Sequence, residues 1–276
     1  MKESALLFPE DIMQLIESSR NKTIKYIFSL KNKTNRRKQQ SFLIEGFRFV
    51  REALLSGIKV EIICFSTETG DESRKEIQTL TNKEIKYILV PPALFARLSE
   101  TDTPQGILAV ADIPDSTLYS IYRKGFRGVL MDSVQDPGNA GTIIRSAHAL
   151  GFDAVITTKG AVDIYNGKVL RSTAGSVFHI PVVDGVEDEE VFRFCKEHDI
   201  RIITTGLNEG KPCYECDLSG DFLLAIGNEG RGVSEKIKQM SLASAFIPMP
   251  GGAESLNAGV AASIIMYESN RQRFSV

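Results

Sequence analysis

Hydrophobic and polar positions along the chain follow two periods in turn. Short apolar runs, typical of buried strands, are separated by stretches in which apolar residues recur every three or four positions, as on one face of a helix. In the first half, the pattern predicts strands at 41–44, 58–65, 85–90 and 106–111 and helices at 10–30, 46–56, 71–82 and 91–99. The basic stretch 31–40 shows neither period and is predicted to be a loop. Such alternation favours a small α/β domain.

The second half repeats the alternation more regularly. Its predicted strands are 126–132, 153–158, 180–183, 201–205, 222–227 and 243–248. Helical stretches lie between these strands, and a helix from Leu256 to about Arg273 closes the chain. Short apolar runs between helices predict a parallel sheet that is buried on both faces.

A polar segment that contains Pro114 interrupts the pattern between the two halves. The length of 276 residues suits one large domain or two modest ones. We therefore predict a first domain over 1–112, a linker over 113–120 and a second domain over 121–276.

Composition narrows the class of protein. The apolar fraction of 42% and the charged fraction of 25% are typical of a soluble globular protein. Four Cys exclude a disulfide scaffold, and no apolar run approaches the roughly 20 residues of a membrane span. The N-terminus lacks the apolar core of a signal peptide. Only three His are present, which disfavours a His-built metal site. We predict a cytoplasmic protein of enzyme size without a metal.

The net charge of -2 conceals an uneven distribution of charge. Residues 1–125 carry a net charge of +3 and residues 126–276 carry -5. Between Arg20 and Gln40 there are eight basic residues and no acidic one. This run predicts either a contact with a polyanion such as nucleic acid or a solvated basic surface. The candidate RNA-binding residues are Arg36, Arg37 and Lys38.

The loop that follows the strand near 128–131 leads into a helix. After the turn at 136–138, Asn139 is predicted to cap the helix. The buried stripe of this helix is predicted to be Ala140, Ile143, Ile144 and Ala147. Arg145 lies off that stripe, so it is either a functional side chain or an ordinary surface arginine.

Two further loops follow strands of the predicted parallel sheet. The loop 227–233 has three glycines in an order that fits neither a dinucleotide fingerprint nor a phosphate-binding P-loop. Glu229 within it would repel a phosphate. The loop 248–257 contains Ser255 and Asn257 and precedes a helix whose small residues permit the close approach of another helix or chain.

Together, in this order and spacing, the three loops resemble the signature motifs of the SpoU (TrmH-like) branch of the SPOUT RNA methyltransferases. The matching segments are NAGTIIR (139–145), AIGNEGRGV (225–233) and IPMPGGAESLNAGVAASI (247–264). The first half is similar, more loosely, to the L30e-like substrate-binding domain of that family. The segments 42–57 and 103–110 carry this second likeness.

The resemblance implies a fold, a cofactor and an activity. The second domain would be a parallel α/β SPOUT domain whose C-terminal chain forms a trefoil knot, preceded by a smaller α/β L30e-like domain. The knot would hold S-adenosylmethionine largely through backbone groups, next to the interface of a homodimer. The family methylates the ribose 2'-oxygen of ribosomal or transfer RNA.

The resemblance also implies roles for individual residues. The catalytic set would be Arg145, Asn139, Glu229, Ser255 and Asn257, and the cofactor-binding set Gly227, Ile247, Leu256, Thr205 and Gly206. Asn139 and Glu229 would orient Arg145, and Ser255 and Asn257 would place the ribose or the loop. We favour Arg145 as a cation that stabilises the developing alkoxide rather than as a base, because an arginine side chain stays protonated in proteins.

Several functions stay open at this level. About 110 residues of L30e-like domain favour ribosomal RNA, most of all the 23S RNA of the large subunit, over transfer RNA. An antibiotic-resistance methylase is a special case of the same class. A non-catalytic RNA-binding assembly protein with this fold is a second class, which the retained motif residues argue against. A nucleotide-dependent dehydrogenase is disfavoured by the glycine order.

Overall fold

The computed structural model describes residues 13–81, 85–207 and 210–274. The chain divides into two compact units. The first contains the described residues up to Ile113 together with Tyr165–Gly167, and the second contains Pro114–Ile164 and the described residues from Lys168 onward. Among the described residues, no helix is long and apolar enough to cross a membrane.

The first unit is built on a mixed five-stranded sheet. Its strands are β1 (Gln14–Leu15), β2 (Ser41–Glu45), β3 (Val60–Ser66), β4 (Lys86–Val90) and β5 (Ile107–Asp112). Its helices are α1 (Lys22–Ser29), α2 (Lys33–Gln39), α3 (Phe47–Ser56), α4 (Asp71–Thr79) and α5 (Pro92–Leu98). The strand order is β1-β4-β3-β5-β2, and β5 runs antiparallel to both of its neighbours. The predicted α/β architecture of this half is therefore confirmed.

Two local predictions in this unit are wrong. The helix predicted from residue 10 begins only at Lys22, because Asn21 caps it by accepting a hydrogen bond from the Thr23 amide at 2.8 Å. Residues 10–12 of that prediction lie outside the described part of the chain. The loop predicted over 31–40 contains α2, which the Asn32 side chain caps at the Thr34 amide, 2.9 Å away. Its sequence carries no apolar period, so capping and tertiary contacts stabilise this short helix.

The second unit is built on a seven-stranded sheet. Its strands are β6 (Arg127–Met131), β7 (Ala154–Thr158), β8 (Val182–Val186), β9 (Arg201–Thr205), β10 (Lys211–Pro212), β11 (Phe222–Ile226) and β12 (Ala243–Phe246). Its helices are α6 (Leu118–Ile121), α7 (Pro137–Ala149), α8 (Gly167–Ser172), α9 (Asp188–Glu197), α10 (Glu235–Met240) and α11 (Ala258–Phe274). The order is β10-β12-β9-β11-β6-β7-β8, and neighbouring strands are parallel. The predicted parallel sheet is confirmed.

Some details of this unit differ from the predictions. The short strand β10 was not predicted, because its two residues carry no apolar pattern and are defined by their pairing with β12. Helix α6 begins inside the segment predicted as a linker, where Thr117 and Ser120 form a reciprocal capping box. Strand β8 lies two to three residues later than predicted.

Small residues bring α11 and α7 into close contact. A Cβ atom added at Gly259 would lie 2.9 Å from the Thr142 Cβ, and the hydroxyls of Ser146 and Ser263 are 2.7 Å apart. The predicted close approach of the small-residue helix is therefore made to α7 of the same chain. Gly141 provides a second close approach, because a Cβ there would overlap Ser172 at the end of α8. The trefoil knot stays a prediction.

Candidate active site

Three motif loops meet at one edge of the second sheet. The strand order places β12, β9, β11 and β6 side by side and parallel. The segments that follow their carboxyl ends are therefore neighbours: 132–136, 206–207, 227–234 and 247–257. Ligands of open parallel sheets bind at this edge, so the sequence motifs lie where a ligand is expected.

The start of α7 differs from the prediction in its cap. Asp136, not Asn139, is the N-cap, and its carboxylate accepts a hydrogen bond from the Asn139 amide at 2.8 Å. Pro137 occupies the first helical position, where its missing N–H costs no hydrogen bond. Asn139 thus lies inside the first turn and is buried. The Asp-Pro pair was the sequence signal for this cap.

Glu229 joins the glycine-rich loop to the start of α7. The Asn139 side-chain amide donates to Glu229 Oε1 at 2.9 Å. The backbone amides of Asp136 and Gln135 donate to the same carboxylate at 3.0 and 3.2 Å. Burial by itself would raise the pKa of Glu229, but the hydrogen bonds from Asn139 and from the backbone outweigh it and lower the pKa. The carboxylate is therefore a charged clamp between two of the three motifs.

The glycine-rich loop closes on itself. The Asn228 amide donates to the Gly232 carbonyl at 3.0 Å, and the Gly232 amide donates back at 2.8 Å. A Cβ atom at Gly227 would overlap the backbone of Gly232 and Val233. Gly232 has a φ of +70°, in the region that favours glycine. These contacts explain a glycine order that fits no phosphate-binding motif.

Asp132, to which the sequence analysis assigned no role, supports the same edge of the sheet. Its carboxylate is buried and accepts the Ser234 amide at 2.7 Å and the Thr158 hydroxyl at 3.3 Å. It thereby ties the ends of β6 and β7 to the residue just beyond the glycine-rich loop. The position of Asp132 directly after an apolar strand was a sequence signal that could have pointed to it. No local pattern identified Ser234 and Thr158 as its partners.

Arg145 lies on the solvent side of α7, as predicted. Ala140, Ile143, Ile144 and Ala147 are fully buried, whereas Arg145 is exposed. Within the described residues, no hydrogen bond or ion pair joins Arg145 to Asn139 or Glu229. The predicted role of that pair in orienting Arg145 stays a prediction, and the contacts that they do make support the start of its helix.

The third motif is more open. Asn257 caps α11, because its side-chain oxygen accepts the amides of Gly259 and Val260 at 3.0 and 3.2 Å. Ser255 and Leu256 are exposed, and Ile247 is half-buried. The Ser255 hydroxyl and the side chains of Leu256 and Ile247 therefore lie at this edge of the sheet and are not buried in the core.

The cofactor-binding candidates differ in the groups that they leave available. Gly227 is buried, yet its amide makes no hydrogen bond to another described residue. Buried amides are normally paired, so this one suits a ligand. The Thr205 hydroxyl donates to the Ala225 carbonyl at 3.1 Å and the Gly206 amide to the Ala245 carbonyl at 3.1 Å. The Thr205 hydroxyl proton and the Gly206 amide are therefore already used within the sheet, whereas the Thr205 hydroxyl oxygen can still accept a hydrogen bond.

The predicted RNA-binding residues on α2 do not share one environment. Arg36 is 4% exposed, and its guanidinium donates to the Leu30 carbonyl at 2.7 Å. Arg37 and Lys38 are exposed. Arg36 therefore has a structural contact in the first unit, and the accessible charge of this short run lies on the other two residues.

A Cys-x-x-Cys pair follows the edge strand β10, whose Pro212 pairs with Phe246 of β12. Cys213 and Cys216 are both buried, and burial raises the pKa of each thiol. Within 13–81, 85–207 and 210–274, no group of three or more His, Cys, Asp or Glu side chains is placed to hold a metal ion.

Three motif loops at the carboxyl edge of a parallel α/β sheet are typical of a ligand-binding domain, and comparison with known proteins gives its family. Residues 127–267 match the SpoU rRNA Methylase family. Residues 21–109 match the MRM3-like substrate binding domain. The chain belongs to the SpoU rRNA methylase family, as the motifs predicted.

Two relatives cover nearly the whole chain. The 23S rRNA (guanosine(2553)-2'-O)-methyltransferase RlmP of Bacillus subtilis is 40% identical over 92% of this chain and 98% of that protein. The 23S rRNA (uridine(2479)-2'-O)-methyltransferase of Streptomyces viridochromogenes is 34% identical over 89% of this chain and 88% of that protein. Both names confirm the predicted class, an RNA 2'-O-methyltransferase.

A solved structure agrees with the fold. The SpoU methyltransferase AviRb from Streptomyces viridochromogenes, in complex with AdoMet, superimposes with a TM-score of 0.85 at 33% identity, over 93% of this chain and 99% of that one. The predicted fold class is confirmed, and the predicted cofactor is the one that AviRb binds.

Proposed function

We propose that this chain transfers the methyl group of S-adenosylmethionine to a ribose 2'-hydroxyl of the large-subunit ribosomal RNA. The observation that carries the proposal is the Asn139–Glu229 hydrogen bond, which links two family motifs at the carboxyl edge of the parallel sheet. The large-subunit target is supported by two relatives, RlmP and the Streptomyces viridochromogenes enzyme, both of which are named as 23S rRNA methyltransferases.

Arg145 is the catalytic residue in this proposal. A ribose hydroxyl is a weak nucleophile, and negative charge develops on its oxygen as its proton leaves to solvent, so that the oxygen can attack the methyl group. A guanidinium fixed next to that oxygen stabilises the charge and the adjoining phosphate. Arg145 is exposed on a helix whose opposite face is fully buried. It can therefore meet a large substrate without any change in the core.

Four other residues position the reacting groups. Asn139 and Glu229 hold the start of α7 against the glycine-rich loop, and so fix the helix that carries Arg145. Asn257 caps α11, and the exposed Ser255 beside it contacts the ribose. Alignment of this kind is worth roughly 7–11 kcal/mol in favourable cases.

The cofactor fits the groups that the sheet edge leaves available. S-adenosylmethionine supplies a methyl group already activated on its sulfonium. The Gly227 amide can donate a hydrogen bond to it, and Thr205 and Gly206, which are half-buried at the same edge of the sheet, contact it as well. Ile247 and Leu256 offer apolar contact to the adenine ring.

The active form is a homodimer in this proposal. Large apolar side chains are exposed along one side of α11 and just before it: Leu256, Val260, Ile264 and Tyr267. Their spacing of three and four residues forms a continuous stripe. The small residues of the same helix pack on α7. A stripe of this kind marks an interaction site, and a second copy of α11 offers a matching surface.

The first unit docks the RNA. Its match to a substrate-binding domain supports this role. The exposed Arg37 and Lys38 contact phosphates, and each neutralised phosphate of a single strand adds about 0.7 to the slope of log affinity against log salt. Because ribosomes are the target, we place the protein in the cytoplasm.

The test is methyl transfer from labelled S-adenosylmethionine to unmodified 23S rRNA, 16S rRNA and transfer RNA offered separately. We expect label in 23S rRNA, on a ribose 2'-oxygen that reverse transcription at low nucleotide concentration maps. Label in transfer RNA alone would support the alternative substrate. Tight RNA binding without label in any of the three would make the chain a non-catalytic assembly protein.

A further inference from the structure

A groove in the first unit, between α1 and α5, combines apolar walls with cationic side chains. Its volume is about 190 Å³. The side chains that matter are apolar or basic: Ile24, Phe28, Leu94, Leu98, Lys25 and Arg97. The groove is therefore large enough to hold a ring system. Its basic side chains favour a ligand that carries negative charge next to that ring.

Phe28 is the unusual residue of the groove. Its helix buries Ile24 and Ile27, whereas Phe28 is 52% exposed. The Lys31 ammonium lies 5.3 Å from the centre of the Phe28 ring. A half-exposed aromatic ring beside cations is better suited to contact a ligand than to fill the core.

Lys31 also fixes the width of the groove. Its ammonium donates to the Arg97 carbonyl at 2.8 Å and to the Ser99 carbonyl at 2.6 Å. These two bonds tie Lys31, two positions beyond the end of α1, to the end of α5. The ring of Phe28 and the side chain of Arg97 therefore face a groove whose two walls are already joined.

The two helices of the groove carry charge of one sign, whereas Glu45 and Glu100 lie close enough to Lys31 to act on its charge. Neither α1 nor α5 contains an acidic residue, and the two helices carry Lys22, Lys25 and Arg97. A further cation, Lys86, donates to the Thr23 hydroxyl on α1 at 2.9 Å. Proteins bind unpaired nucleic acid with this combination, because bases stack on aromatic rings while cations follow the phosphates.

We propose that this groove binds an unpaired base of the RNA substrate, with the base stacked on Phe28 and the adjoining phosphates on Lys25 and Arg97. This proposal rests on the proposed function in one respect, that the substrate is RNA. It adds a binding site for single-stranded RNA outside the short run Arg36–Lys38.

The test uses the full chain, a short fluorescent oligoadenylate and no cofactor. Stacking is worth about 1–3 kcal/mol per base, so Phe28→Ala should weaken binding by about 5- to 150-fold, whereas Phe28→Tyr keeps the ring and the affinity. The slope of log affinity against log salt should stay unchanged in Phe28→Ala. Lys25→Gln and Arg97→Gln should each lower that slope by about 0.7.

The matched control is Leu55→Ala, which removes another exposed apolar side chain of the same unit, 54% exposed on α3. It should bind like the parent. Phe28→Leu preserves apolar packing without an aromatic ring, so it should bind as weakly as Phe28→Ala while it melts like the parent. Parental affinity in Phe28→Leu overturns the proposal, and so does an equal loss of affinity for a blunt RNA duplex.

The same variants separate this proposal from the function itself. If Phe28→Leu binds and methylates like the parent, the groove is not a base site and methyl transfer stands. If oligoadenylate binding depends on Phe28 but the parent chain methylates no RNA, the groove stands and the proposed activity fails.

Discussion

The glycine-rich loop 227–233 and the segment 248–256 lie at the same edge of the sheet but are held very differently. The first is closed by a pair of backbone hydrogen bonds between Asn228 and Gly232 and is clamped to α7 through Glu229. In the second, a single hydrogen bond joins described residues, from the Gly252 amide to the Met249 carbonyl at 3.4 Å. One loop has its shape before any ligand arrives, whereas the other has few internal contacts to define it.

The two segments are therefore suited to different tasks. In the proposed mechanism, the clamped loop positions α7 and therefore Arg145, whose charge must be preorganised to stabilise the developing alkoxide. The open segment carries Ser255 and Leu256, whose proposed partners are the ribose, the cofactor and the second subunit. Four experiments test whether the two segments differ in this way.

Arg145→Ala should have the largest effect, because it removes the charge that the clamped region positions. We expect single-turnover methyl transfer to fall by roughly 10²–10³, with the melting temperature unchanged because the side chain is exposed. Arg145→Lys should not restore activity, since it keeps the charge and loses the planar fork. Arg193→Ala, exposed on α9, is the control. Full activity in Arg145→Ala would contradict its catalytic role.

Ile264→Asp should dissociate the homodimer. Ile264 is 38% exposed and lies in the middle of the apolar stripe on α11. The lost burial of one such side chain is worth about 1.5–3 kcal/mol, before the cost of a buried carboxylate. Sedimentation should give a dimer of the 30.5 kDa chain for the parent and a monomer for the variant. Leu242→Asp, at a 76% exposed position outside the stripe, should stay dimeric; a parent that is monomeric and active would refute the shared interface.

Gly227→Ala and Gly251→Ala compare the two loops directly. A Cβ at Gly227 would overlap the backbone of Gly232, whereas a Cβ at Gly251 meets nothing within 4 Å. We expect the first substitution to lower the free energy of unfolding by about 1–3 kcal/mol and the second to leave it unchanged. Denaturant unfolding measures both. Equal effects would show that the clamped loop is no more constrained than the open one.

Glu229→Gln should have the smallest effect and a dependence on pH. The variant loses the charged acceptor of three donors, so we expect a loss of about 0.5–1.5 kcal/mol at pH 7. The pKa of Glu229 is lowered in the folded chain, so its contribution is complete above the pKa of the unfolded chain and disappears as the pH falls through the folded value.

The parent and Glu229→Gln should therefore differ in the free energy of unfolding, measured with urea, and this gap should close as the pH is lowered below about 4. Glu254→Gln, an exposed carboxylate of the open segment, should show no gap at either pH. A gap of the same size at low pH would mean that the clamp does not depend on the charge of Glu229.

The local sequence pattern predicted the positions of helices and strands better than the contacts that they make. Helix α3 ends before Gly57, as predicted, because Gly57 adopts a φ of +79° that favours glycine. The cap of α7 was assigned three residues late, since Asp136 and Asn139 are both good caps and only the helix start separates them. Helix α2 was missed because its residues carry no apolar period to detect.

Apolar periodicity and motif spacing are local properties, so the amino-acid sequence was enough to predict the alternation of strands and helices, the parallel second sheet and the family. The contact between Asn139 and Glu229, which are 90 positions apart, depends on the tertiary structure. The packing of the small face of α11 on α7 and the burial of Arg36 beside the exposed Arg37 and Lys38 depend on it as well. The first two contacts join residues that are distant along the chain, and the burial of Arg36 depends on how α2 packs, so no local pattern encodes them.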